Sequence, residues 1–150
     1  MIEVTIPTIQ TQRLILRPAR LEDFPQFAEE LAKPRTRYMD GPLSTDTAWT
    51  FFTNDLACWP LLGIGGLMIE RDGEVVGQVA IGKPPRFPET EIGWIIYEAH
   101  EGHGYAVEAA FALRDWAYTN AGLDTLDSYV DRENAASIRL AEKLGAAPDP

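Results

Sequence analysis

The run Glu91-Ile92-Gly93-Trp94-Ile95-Ile96-Tyr97 is largely apolar and reads as a central strand. After a glycine-rich turn the chain continues with a helical stretch, about residues 105–121, that ends at Gly122. Residues 125–130 then read as another strand. A strand, one helix and a second strand form a crossover, and a crossover makes its two strands parallel neighbours. Joined to hairpin-linked strands earlier in the chain, this pair gives a mixed sheet with helices and not an all-parallel doubly wound sheet.

The earlier part of the chain adds a different kind of sheet. Arg13-Leu14-Ile15-Leu16-Arg17-Pro18 reads as a first strand stopped by Pro18, which has no N–H for a ladder. Residues 21–33 carry Phe24, Phe27, Ala28 and Leu31 on a helical stripe that Pro34 ends. Ser44 is the expected N-cap of a second helix over residues 45–58, with Trp49, Phe52 and Leu56 on one side. Trp59-Pro60-Leu61-Leu62-Gly63 is expected to break it. Residues 67–70 and 75–81 flank Arg71-Asp72-Gly73-Glu74, where Asp-Gly between apolar runs signals a tight hairpin. A last helix spans residues 134–144, before Gly145. The order β-α-α-β-β-β-α-β-α describes a single α/β domain over residues 1–150, with a mixed sheet of α+β character.

At 150 residues the chain is long enough to bury a core. Its formal charge of −10 argues against a nucleic-acid partner, which needs phosphate neutralisation. The same acidity suits a cationic substrate such as an amine, or serves solubility alone. Cys58 is the single cysteine and has no partner for an internal disulfide, which points to a reducing cytoplasm. No apolar stretch reaches the ~20 residues of a membrane span, and residues 1–11 lack the pattern of a signal peptide.

Glu101-Gly102-His103-Gly104-Tyr105-Ala106-Val107-Glu108-Ala109 joins the central strand to its helix. Small residues at every second position, followed by a helix N-terminus, make a cradle for phosphate. The alternative is a turn that needs glycine for shape alone. The loop lies late in the chain, behind a hairpin, which disfavours a dinucleotide-binding oxidoreductase. His100 and His103 lack a third well-spaced ligand, so no metal is expected.

Taken together, four collinear blocks resemble the GNAT superfamily of acetyl-coenzyme A-dependent N-acetyltransferases, in the branch of the ribosomal-protein N-terminal acetyltransferases. They are residues 11–18 with Asp23, Glu91-Ile92-Gly93-Trp94, the loop 102–109, and Asn134-Ala135-Ala136-Ser137 with Glu142-Lys143-Leu144-Gly145. The resemblance implies transfer of acetyl from acetyl-CoA to a primary amine, of a protein N-terminus or a small molecule, by direct attack. A non-catalytic module of the same fold that senses acyl-CoA is the alternative it leaves open, and it admits a homodimer. The family's usual last two strands have no counterpart after Gly145, so the domain reads as C-terminally incomplete. The family's loop begins with Gln or Arg where this chain has Glu101, whose side chain is expected to face away from the phosphates.

The resemblance also assigns roles. Coenzyme A would be held by the backbone near Ile95, Ile96 and Tyr97, by Gly102, His103, Gly104, Tyr105 and Ala106, and by Asn134 and Ser137. Asn134 serves equally as a helix N-cap. The family's thiolate-protonating tyrosine falls at Ala141, which leaves Ser137 as the acid. Glu91 is the expected base, or else a solvated strand-edge carboxylate. Tyr38, Trp49, Trp59 and Glu91 are expected around the acceptor, with aromatic residues of this region shared between that site and the core. Glu108, in the first helical turn, reads as structural.

Overall fold

The computed structural model describes residues 5–85, 89–123, 125–128 and 133–145. The elements are β1 (Ile9–Gln10), β2 (Ile15–Arg17), α1 (Phe24–Leu31), α2 (Thr45–Leu62), β3 (Gly66–Arg71), β4 (Glu74–Gly82), β5 (Glu91–Ile96), α3 (Tyr105–Asn120) and α4 (Ala135–Lys143). The five strands form one antiparallel sheet in sequence order. Asp72 and Gly73 both have positive φ, 52° and 82°, as a type I′ hairpin between β3 and β4 requires.

The parallel element is present at one point. Glu91 bridges Asp127 in parallel, the Ile92 N–H donates to the Asp127 carbonyl (2.8 Å), and the Asp127 N–H donates to that of Thr90 (2.9 Å). The sheet is therefore mixed. Residues 125–128 form no longer ladder, and residues 129 and 130 of the expected strand lie outside the described residues. The segment 146–150 also lies outside them.

Alternation along the strands divides two cores. Leu67, Ile69, Val79 and Ile81 pack with Ile92 against Ala109, Leu113 and Ala117 of α3. Met68 and Tyr97 face the other way, onto Phe27 and Leu31 of α1 and Phe52 of α2. Burial of this kind contributes roughly 1.5–3 kcal/mol for each large apolar side chain.

Helix α2 corrects one expectation, because Pro60 does not stop it. A proline in the last turn removes one hydrogen bond, and two contacts offset the loss. Trp59 is buried and its Nε1 donates to the Gly66 carbonyl (2.9 Å), while Gly63, with φ 73°, caps the helix through its N–H to the Trp59 carbonyl. Ser44 caps the other end, accepting from the Thr47 N–H.

Candidate active site

Beyond Ile92 the outer edge of β5 has no strand partner among the described residues. Here the strand opens onto a cleft of about 760 Å³. Its floor includes Trp94, Ile95 and Ile96; its walls are the segment between α1 and α2, the glycine loop, and α4.

The glycine loop is shaped by backbone conformation. Gly102 and Gly104 have φ of 82° and 78°, and Gly104 is the residue from which α3 departs. A Cβ on Gly102 would meet nothing within 4 Å, so conformation, not crowding, demands glycine there. The first amides of α3 have no partner within the helix and open beside the same cleft.

A brace from the start of the chain holds this loop. The Glu108 carboxylate accepts from the Thr11 hydroxyl (2.5 Å), the Arg13 N–H (2.9 Å) and Arg13 Nε (2.7 Å). Arg13 also donates to the His103 carbonyl (2.8 Å) and lies 4.9 Å above the Tyr105 ring. Burial raises the Glu108 carboxyl pKa, but these donors more than offset it and hold it below the usual carboxylate range. Sequence reasoning placed Glu108 as structural without finding its partners.

Glu101 pairs with Arg35, which also donates to the Ile96 carbonyl (3.0 Å). The negative charge at the head of the loop is thereby neutralised. Arg35, Arg37, Arg139 and Lys143 line the cleft with Glu101 as its single acidic residue among those described. In a chain of net charge −10, this concentrates positive potential where a polyanion would sit.

On α4, Asn134 caps the helix, its Oδ1 accepting from the Ser137 N–H (3.2 Å). The Ser137 hydroxyl accepts from Trp94 Nε1 (3.4 Å) across the cleft floor. Indole nitrogen is only a donor, so the serine hydrogen remains available to the cleft.

The cleft brings together Tyr38, Ile95, Ile96, Gly102, His103, Gly104, Tyr105, Ala106, Asn134 and Ser137. It leaves out four. Tyr97 is buried, its N–H donates to the Val76 carbonyl (2.8 Å) and its carbonyl accepts from the His100 N–H (2.8 Å), so its backbone is not free. Trp59 packs in the core edge-on to Trp116. Trp49 is 44% exposed and meets Phe24 edge-on on the outer side of α2. Glu91 stands opposite Gly82 and Asp127, away from the cleft lining.

Near Glu91 lies a carboxyl that sequence reasoning missed. Burial pushes Asp55 up to about 7, a hydrogen bond from Gln78 opposes this, and the charge of Glu91 adds to it. The signal was its position on α2, three residues after Phe52 and four before Trp59, both of them buried. The nearby Cys58 thiol is raised first by burial and then by Asp55, which makes it a poor nucleophile.

The sequence pattern of the acetyltransferase (GNAT) domain matches residues 13–147. The chain is 29% identical over 143 residues to the uncharacterized N-acetyltransferase p20 of Bacillus licheniformis, covering 91% of this chain and 80% of that one. A crystal structure of an acetyltransferase from Agrobacterium tumefaciens str. C58 superposes with a TM-score of 0.94 at 46% identity, covering 100% of this chain and 89% of that one. RimL, a ribosomal L7/L12 α-N-protein acetyltransferase in complex with coenzyme A, shares the fold at a TM-score of 0.76 and 18% identity, over 91% of this chain and 82% of that one. The glycine loop, the cationic cleft and the open edge of β5 fit the coenzyme such enzymes use. The chain belongs to the GNAT acetyltransferase family and is an acetyl-CoA-dependent acetyltransferase.

Proposed function

We propose that the enzyme acetylates a primary amine, on a peptide N-terminus or a small molecule, by direct attack without a covalent enzyme intermediate. The observation that carries this reading is the single cleft that joins the loop 102–106, the open end of β5 and the Ser137 hydroxyl. Bound acetyl-CoA supplies an activated thioester. The loop amides and α3 N-terminus would hold its pyrophosphate, and the outer edge of β5 near Ile95 and Ile96, where Arg35 holds the Ile96 carbonyl, its pantetheine arm. Asn134 keeps the first turn of α4 in place beside them.

Ser137 would donate a hydrogen bond to the departing sulfur, a reading supported by Trp94 donating to its oxygen, which leaves its hydrogen available. Glu91 lies outside the cleft lining, so a role as base would have to run through water. Tyr38 is on the acceptor wall, and Trp49 and Trp59 have structural places instead. A reducing cytoplasm suits the lone, unpaired Cys58 thiol.

Mass spectrometry of the purified protein with acetyl-CoA and a panel of amines and peptides tests the reading. Free thiol released only with an acceptor, together with an acetylated amine, is the expected result. Tight coenzyme binding with no transfer across the panel would replace it with a sensing role.

A further inference from the structure

The segment Pro34–Met39, between α1 and α2, is a rigid wall. Thr36 is 2% exposed, and its hydroxyl donates to the Lys33 carbonyl (2.7 Å). Gly41 returns its N–H to the Thr36 carbonyl (2.9 Å), and a Cβ on Gly41 would fall 2.0 Å from the Thr36 hydroxyl oxygen. Lys33 pairs with Glu30 (2.7 Å) and Glu98 (3.3 Å), and Glu30 accepts the Glu98 N–H (2.9 Å). Arg35 fastens the wall to Ile96 and Glu101.

This wall presents Arg37 and Tyr38 to the cleft. The Arg37 guanidinium lies 4.3 Å from the Tyr38 ring centroid and donates to its hydroxyl (2.7 Å), which fixes the planar group in place. Acidic residues outnumber basic ones 23 to 13 in this chain, yet Arg37 has no carboxylate partner among the described residues. Other groups in the cleft would serve the coenzyme phosphates: the loop amides, and Arg139 and Lys143 one turn apart on α4. A fixed guanidinium with unused N–H groups matches a carboxylate, which it binds through two parallel hydrogen bonds.

We propose that Arg37, held by Tyr38, binds a carboxylate on the acceptor, so that the preferred substrates are amines that also carry a carboxylate. This rests on the amine-acetylating reading above and narrows its substrate class. The net acidity of the chain would favour a purely cationic amine, but the acceptor wall carries the opposite charge.

Matched acceptor pairs test it: peptides beginning Ser-Glu against Ser-Gln, and β-alanine against its amide. For the wild type, kcat/KM favours the carboxylate member by about tenfold or more, the size of one charge-assisted hydrogen-bonded pair. Arg37→Ala brings that ratio toward one through KM, and Arg37→Lys retains part of it, while the coenzyme A Kd from calorimetry shifts by less than about threefold. Transfer without a preference in the wild type overturns this proposal and leaves amine acetylation standing. So does a loss of coenzyme affinity in Arg37→Ala as large as the loss of selectivity, because Arg37 would then serve the phosphates. Transfer to no member of the panel overturns both. Arg37 is exposed, and circular dichroism of the lysine variant separates misfolding from lost recognition.

Discussion

Arg13 and Glu108 are 95 positions apart in sequence and 2.7 Å apart in space. Arg13 reaches past Glu108 to the His103 carbonyl, so one side chain ties the first turn of α3 to the loop before it. A phosphate cradle made of amides works only when its donors are held in place before the ligand arrives. Arg13→Ala and Glu108→Gln should each weaken coenzyme A binding by about three- to thirtyfold, the effect of losing charge-assisted positioning bonds. Isothermal titration checks this, and unchanged Kd in both variants would make the brace irrelevant to the loop. Arg13→Lys should rescue poorly, because one ammonium cannot span both acceptors.

A second arginine-carboxylate pair acts on stability. Arg17 grips both oxygens of Asp23 at 2.8 and 2.9 Å and bonds Glu70 at 2.6 Å. Both side chains of the Arg17–Asp23 pair are more than 90% buried. Burial raises the Asp23 carboxyl pKa, but Arg17 and the Arg20 N–H outweigh it and hold it below its ordinary value. Removing one partner leaves an uncompensated buried charge, so Asp23→Asn should cost about 3–5 kcal/mol in urea unfolding. Because the folded pKa is lowered, this stabilisation is present above about pH 4 and is lost as the pH falls through the folded value. An Asp23→Asn protein with unaltered stability at pH 7 would contradict the account.

Asp55 has the opposite sign. Its folded pKa is about 7, well above the ordinary aspartate value, so the folded chain keeps a proton that the unfolded chain releases. Its contribution is greatest below pH 4 and declines as the pH rises toward 7, where ionising Asp55 beside Glu91 destabilises the fold. The full swing is roughly 2–4 kcal/mol. Urea midpoints measured from pH 5 to 8 should therefore fall for the wild type and flatten for Asp55→Asn. A steeper fall in the variant would place the effect elsewhere.

These relationships mark where sequence reasoning stopped. Local signals were readable because their causes are local: Asp72-Gly73 for the hairpin, Ser44 and Asn134 for caps, and Gly102 and Gly104 for the turn before α3. The end of α2 was not, since Pro60 is a local stop and the Trp59–Gly66 bond that carries the helix past it is tertiary. Trp49 and Trp59 look alike in sequence, and only packing separates an exposed helix face from a buried one. Arg13–Glu108, Arg35–Glu101 and Arg17–Asp23 join side chains whose meeting has no periodicity to reveal it. The sequence blocks 11–18 and Asp23 were visible as a pattern, and the structure supplies their reason: Thr11 and Arg13 brace the loop, while Arg17 anchors Asp23.

The 3.4 Å contact between Trp94 and Ser137 makes the catalytic proposal separable from simple packing. If the indole fixes the hydroxyl so that its hydrogen is offered to the departing sulfur, the two side chains act as one device. Ser137→Ala should then lower kcat by about ten- to a hundredfold with coenzyme Kd nearly constant, the pattern of an interaction made chiefly in the transition state. Trp94→Phe keeps much of the aromatic volume but removes the N–H, and should lower kcat by a smaller factor. The double variant should be no slower than Ser137→Ala alone, because the indole has nothing left to orient. Multiplicative losses in this cycle would show that Trp94 acts independently of the serine, and an unchanged kcat in Ser137→Ala would remove the serine from the chemistry.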